Sequence, residues 1–202
     1  FFNRNLRAGE RPFTKEELEQ AKQLGMMLVL RMPRLGEGKT ERPLTIDSTR
    51  ELFVKGDTLG EPTKKKQRVF YGKKGSSWYD NEKFTTQETP KLGWGLVTKS
   101  VLPESLSQNW DEQEKILKKW AKDNKIDPET VKRRTPVEVV YDTLIYYGAN
   151  KESLLENRYD WTGVQSSDGY FVDVGHFDSD GLGVRHDTRG NAYSGLGVCP
   201  SR

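Results

Sequence analysis

The sequence contains a single cysteine, Cys199, among 202 residues. That excludes an internal disulfide framework and any zinc site built on several thiolates. Long apolar runs are missing too. The longest, Gly25 to Leu30, falls far short of the ~20 residues a bilayer-crossing helix needs, so no membrane span is expected. No amino-terminal signal pattern follows Phe1. The expected location is the cell surface or the extracellular space if a leader precedes the chain, and the cytoplasm otherwise.

A third absence is local and more informative. All 19 Lys and all 17 Glu fall within residues 1–161, and residues 162–202 hold neither. At the upstream density about nine would be expected in that stretch, so chance is a poor explanation. The tail is instead rich in Gly and Asp and holds both histidines, His176 and His186. Its three Arg and five Asp leave it at −2, with +5 on the remainder of a chain whose net charge is +3.

What is present favours an ordinary folded protein. Twenty-one aromatics, five of them Trp, argue against a disordered chain despite 31% charged residues. A chain of this length buries about two thirds of the surface its unfolded form exposes, so it needs no metal or disulfide staple. The net charge is short of the basic bias of a nucleic-acid binder. The run Lys64-Lys65-Lys66-Gln67-Arg68 therefore reads as a solvated loop or edge strand.

Helix signals are clear. Thr14-Lys15-Glu16-Glu17 is a capping box. It opens a helix with Leu18, Ala21 and Leu24 on one face and Gly25 at its end. Met26 to Leu30 reads as a strand. Residues 33–93 read as irregular β structure, with strands expected at Glu51 to Val54 and Arg68 to Tyr71. Leu92 to Val97 reads as a core strand.

Trp110, Leu117, Trp120 and Ala121 share a helical face. Asp127-Pro128 is an N-cap with a first-turn proline. Thr135-Pro136-Val137-Glu138 repeats that logic and opens an amphipathic helix ending near Gly148-Ala149-Asn150. A short helical turn is expected through Leu154 and Leu155. The tail then reads as strands: Tyr170 to Val174, His176-Phe177, Leu182 to Val184 and Leu196 to Val198. Gly163, Gly169, Gly175 and Gly181 recur every six residues and suggest tight hairpins with glycine at the turns. The class expected is α+β, with helices beside a twisted antiparallel β core.

Catalytic signals are weak. Phe177-Asp178-Ser179-Asp180-Gly181 resembles part of a calcium loop, but the tail has no Glu to close one. Its Asp residues read as turn formers. His176 and His186 with Asp173, Asp178 and Asp187 are the basis of an alternative reading as a hydrolase or metal-dependent enzyme. They lack metal-ligand spacing, and no nucleophile elbow is present. No metal or other cofactor is implied.

The genetic code offers another account of the tail. Codons ending in a pyrimidine cannot encode Lys, Glu, Gln, Met or Trp, and residues 166–202 contain none of these. Diversified codons would leave this pattern. The segments Arg134 to Glu138, Tyr141-Asp142, Leu154 to Asn157 and Tyr159 to Thr162 belong to a family pattern. So do Ser167 to Gly169, Val172 to Gly175, Phe177 to Gly181 and Leu196 to Arg202. Over residues 92–202 the chain resembles the variable proteins of diversity-generating retroelements, as found in small uncultivated bacteria and archaea. In that family, adenine-directed mutagenic reverse transcription rewrites codons near the 3′ end of the gene. Pro200 stands where the family carries Phe or a similar residue, so the final strand is expected to end differently.

The resemblance implies a C-type lectin-like fold of the formylglycine-generating-enzyme-like subclass, without that enzyme's catalysis. It implies one domain over 1–202, with a scaffold portion 1–160 and a variable ligand-binding region 161–202. Trp161, Val172, Val174, Phe177, Val184, Leu196 and Val198 would form the constant core. Gly169, Gly175, Gly181 and Gly197 would hold special backbone conformations. The varied positions, expected to point outward from one face, are Asp168, Tyr170, Asp173, His176, Asp178, Asp180, Arg185, His186, Asp187, Arg189, Asn191 and Tyr193. Such residues make a plausible binding vocabulary. The partner implied is a protein or glycan on another cell, virus or host component.

Overall fold

The computed structural model describes residues 10–36, 38–53 and 69–202. Helix α1 (Lys15–Gln23) starts at the expected box: Thr14 accepts from the Glu17 amide at 3.2 Å, and the Thr14 amide donates to the Glu17 carboxylate at 2.8 Å. Gly25 ends the helix in the left-handed region, at φ +67°. Strand β1 (Met26–Arg31) follows, then a short antiparallel pair, β2 (Arg34–Leu35) and β3 (Arg42–Pro43).

The strand expected at Glu51 to Val54 is absent from residues 51–53. They close helix α2 (Ile46–Phe53), and Val54 lies outside the described residues. The cause is a cap that lacks the usual Glu. The Ser48 amide donates to Thr45 Oγ1 at 3.0 Å, and the Thr45 amide to Ser48 Oγ at 2.9 Å. The second expected strand is reduced to a bridge between Phe70 and Leu182. Arg68 and the rest of the Lys64–Arg68 run lie outside the described residues.

After the single turn α3 (Lys83–Thr86), strand β4 (Gly93–Thr98) pairs antiparallel with β1, placing Leu96 opposite Leu28 and Trp94 opposite Leu30. Helix α4 (Trp110–Asp123) buries Leu117 and Ala121 as its spacing predicts, and Asn109 caps it. Helix α5 (Pro136–Asn150) has the expected Thr135–Glu138 box. No helical turn forms at Leu154 and Leu155. Both are buried in an irregular turn in which Leu155 takes φ +56°.

The tail builds a sheet. Strands β5 (Tyr159–Gln165), β6 (Phe171–Asp178), β7 (Gly181–Asp187) and β8 (Leu196–Gly197) are ordered β7-β6-β5-β8. Only β8 runs parallel to its neighbour. The two pieces expected around Gly175 are one strand with a register shift, where His176 adopts φ +52°. Gly169 and Gly181 sit at hairpin turns with φ +86° and +108°. Gly163 and Gly175 lie within strands instead. Past β8 the chain changes sheets: Leu96 and Arg202 exchange backbone hydrogen bonds at 2.8 and 2.7 Å. The fold class is α+β.

The main core lies between α5 and one face of this sheet. Val137, Val140 and Leu144 pack in one cluster with Val172, Val174, Phe177 and Leu182. Each such side chain contributes roughly 1.5–3 kcal/mol by burial. Beside it runs a buried charged network with no sequence signature. Arg31 bonds Asp142 at 2.6 Å and Glu138 at 3.2 Å, and Arg134 bonds Asp142 at 3.0 Å and Asp160 at 2.9 Å. Asp160 also accepts the Cys199 amide at 2.8 Å. The network ties β1, α5, β5 and the chain's end together.

Candidate functional site

The tail's turns close on their own residues. The Asp180 amide donates to Asp178 Oδ1 at 2.8 Å, so these two expected surface residues shape the β6–β7 hairpin. The Asn191 amide donates to the Thr188 carbonyl at 2.9 Å, folding the loop after β7. That loop is pinned to the start of α4: the amides of Trp110 and Ser107 donate to the carbonyls of Arg189 and Tyr193 at 3.1 and 3.2 Å. Arg189 also forms an exposed ion pair with Asp111. The side chains of the loop are thus presented by a backbone fixed elsewhere.

The twelve expected positions do not share one outward face. Successive strand residues point to opposite sides of a sheet. Arg185 and His186 are adjacent on β7 and must diverge. His186 stacks on Trp78 with ring centres 4.0 Å apart, and Tyr170 meets it edge-on at 5.0 Å. Asp168 approaches the same His186 at 3.5 Å. Arg185 belongs to a second group with Asp173, Asp187, Asn191 and Tyr193. His176 lies flat over Tyr159, with ring centres 5.7 Å apart, and contacts Asp178 at 3.3 Å.

Asp173 departs most from expectation. It is fully buried rather than outward-facing: Trp161 and Arg185 stand opposite it on the two neighbouring strands, and the Arg185 side chain lies over it. Neither carboxyl oxygen has a hydrogen-bond partner, and Arg185 Nε stands 3.9 Å away. Burial, and secondarily the Asp187 charge, push its pKa up to about 8. Arg185 continues outward: it donates to Asp187 at 3.1 Å and to the Tyr193 hydroxyl. Its guanidinium lies 4.7 Å from the Tyr159 ring centre and 5.5 Å from that of Tyr193. Tyr193 in turn donates to Asp187, and its own pKa is raised by burial and by that bond.

A cleft of about 500 Å³ opens beside β7, walled by Tyr71, Trp78, Tyr159, His176 and Arg185. Tyr71, Trp78 and Tyr159 were not among the expected site residues. Tyr71 and Trp78 stand in a polar, glycine-rich stretch and remain exposed at 71% and 41%, a pairing of aromatic side chain and polar context that the sequence did display. Tyr159 reads in sequence only as a lead-in to Trp161.

Among the described residues, the groups beside His186 do not form a hydrolytic relay. The Ser166 hydroxyl and the Asp168 carboxylate both meet Nδ1 of His186, at 3.4 and 3.5 Å. A nucleophile–base–acid relay needs them on opposite ring nitrogens. Among the described residues no group of three or more His, Cys, Asp or Glu is placed to hold a metal ion. Compared with known proteins, the chain matches no family model, no curated protein and no solved structure.

Proposed function

We propose that this chain is a non-catalytic ligand-binding protein with a C-type lectin-like scaffold, whose residues 161–202 are diversified by mutagenic reverse transcription. The observation that carries the reading is a separation of roles within one short stretch. Trp161, Val172, Val174, Phe177, Leu196 and Val198 are fully buried. Side chains between them, including Tyr170, His176, Asp180, Arg185 and Arg189, reach solvent. A binding surface that changes its residues needs this arrangement, because surface substitutions away from special features usually stay within ~0.5 kcal/mol. The pyrimidine-ending codon set of residues 166–202 supports the same reading independently.

The aromatic cleft and its polar rim suit contact with a protein or glycan on another cell, virus or host component. Tyr supplies contact area at low entropy cost, and short polar groups adapt their hydrogen bonds. The neighbouring DNA provides the test. A reverse-transcriptase gene and a near-identical template repeat, differing from the tail's coding sequence at adenines, are expected nearby. A complete locus with neither removes the diversification reading.

A further inference from the structure

We infer that Tyr159, Tyr193, Asp173 and Asp187 form a guanidinium-binding subsite, that Arg185 is its built-in occupant, and that an arginine side chain of a protein partner displaces it. The inference rests on the binding role proposed above but not on diversification.

The walls of the subsite are held without Arg185. Tyr159 is fixed in β5, and its amide donates to the Gly195 carbonyl at 2.8 Å. Asp173 is fixed in the middle of the sheet. Asp187 accepts from Asn191 at 2.5 Å and from the Tyr193 hydroxyl. Two aromatic rings and two carboxyls thus surround one space, and a cation already fills it. A planar guanidinium fits such a space better than an ammonium, because it stacks on aromatic faces while its forked donors reach the oxygens of both carboxyl groups.

Arg185 fills the space incompletely. It is tethered directly opposite Asp173 in the β6–β7 ladder. From there its Nε stops 3.9 Å from Asp173, and both oxygens of that carboxyl stay without a hydrogen bond. An unmade hydrogen bond on a buried group is costly, because the group has given up its water without gaining a partner. A partner's guanidinium carries no such tether and is free to bridge Asp173 and Asp187. Arg185 is also placed to leave. Its side chain is 44% exposed, against 10% for Asp187 and 0% for Asp173. Arg185 and Tyr159 also line the cleft beside β7, on the solvent side of the subsite.

Arg185→Ser opens the subsite. Ethylguanidinium should then raise the melting temperature of this variant in a saturable manner, in the millimolar range. Ethylammonium at equal ionic strength should not. Adding Asp187→Asn should weaken the ethylguanidinium effect at least tenfold. A folded Arg185→Ser protein that gains no saturable stabilisation overturns the inference, as does an effect that survives Asp187→Asn unchanged. If Arg185→Ser does not fold, the wild-type protein serves. The Arg185 Nε–H NMR signal should move toward that of a free arginine as an arginine-containing peptide is added, and an unmoved signal overturns the inference. A locus lacking a template repeat would leave these outcomes untouched, so the two readings fail separately.

Discussion

Arg134 and Asp160 are both fully buried and meet at 2.9 Å, joining the residue that precedes the α5 cap to the second residue of β5. The carboxylates of Asp160 and Asp142 hold Arg134 above the ordinary guanidinium range although burial alone would lower it. Replacing Arg134 by Leu leaves the buried Asp160 carboxylate without its guanidinium partner, while Asp142 keeps Arg31. A loss of about 3–5 kcal/mol is expected in urea denaturation, the cost of breaking a buried pair from one side. Arg189→Ala, which removes an ion pair with both partners more than half exposed, should leave the urea midpoint unchanged.

Gly175 is held by space rather than by a left-handed conformation. A Cβ there would lie 2.1 Å from the Arg158 carbonyl oxygen. Gly175→Ala must push β6 away from the start of β5. Destabilisation at or beyond the ~3 kcal/mol upper end of usual overpacking costs is expected. Gly190, where a Cβ meets nothing within 4 Å, should accept Ala with little change. Equal stability of the two variants would contradict this account of the sheet.

Asp173 makes stability depend on pH in an unusual direction. In the unfolded chain it titrates near 3.8, and in the folded protein near 8. Between those values the folded state keeps a proton that the unfolded chain releases, so raising the pH favours unfolding. The contribution is complete below about pH 4 and lost as the pH rises toward 8, at up to about 1.4 kcal/mol per pH unit. The neighbouring charges are Arg185, Asp187 and Asp160. Asp173→Asn should flatten the fall in stability across this window. Parallel wild-type and variant profiles would show that the carboxyl is not the source.

Cys199 is fully buried, and burial together with the Asp160 charge pushes its thiol pKa up. Native protein should therefore react with a thiol reagent only as fast as it unfolds. Labelling that rises in step with reagent concentration in native buffer would place the thiol at the surface instead.

Combined substitution of Tyr170, Asp180 and Arg189 by Ser, Asn or Ala, with His176 changed only to Asn because of its left-handed backbone, should preserve cooperative unfolding, with about 0.5 kcal/mol or less per site. Trp161→Ala should cost roughly 3–5 kcal/mol. Thermal melts of a small library against the single Trp161 variant test the division between exposed and buried tail residues.

Much of the local structure was legible because its causes are local. The Thr14–Glu17 and Thr135–Glu138 boxes involve residues three apart, so their helices begin where expected. The Thr45–Ser48 cap escaped because Ser there mimics a role usually held by Glu. The alternation of Val172 and Val174 along β6 identified one buried side, but the opposite side, at Phe171 and Asp173, is buried as well, which alternation does not show.

The sequence by itself determined the starts of α1 and α5, the β character of the tail, and the unequal composition that separates residues 162–202 from the rest. Tertiary structure alone decided which charges are buried, since Arg31, Arg134, Asp142 and Asp160 lie on separate elements and meet only on folding. It also decided that Asp173 lies beneath Arg185, and that Trp78 and Tyr159 join the tail at one cleft. Capping and alternation act over a few residues, whereas burial depends on which distant elements pack together, a property no short stretch of sequence carries.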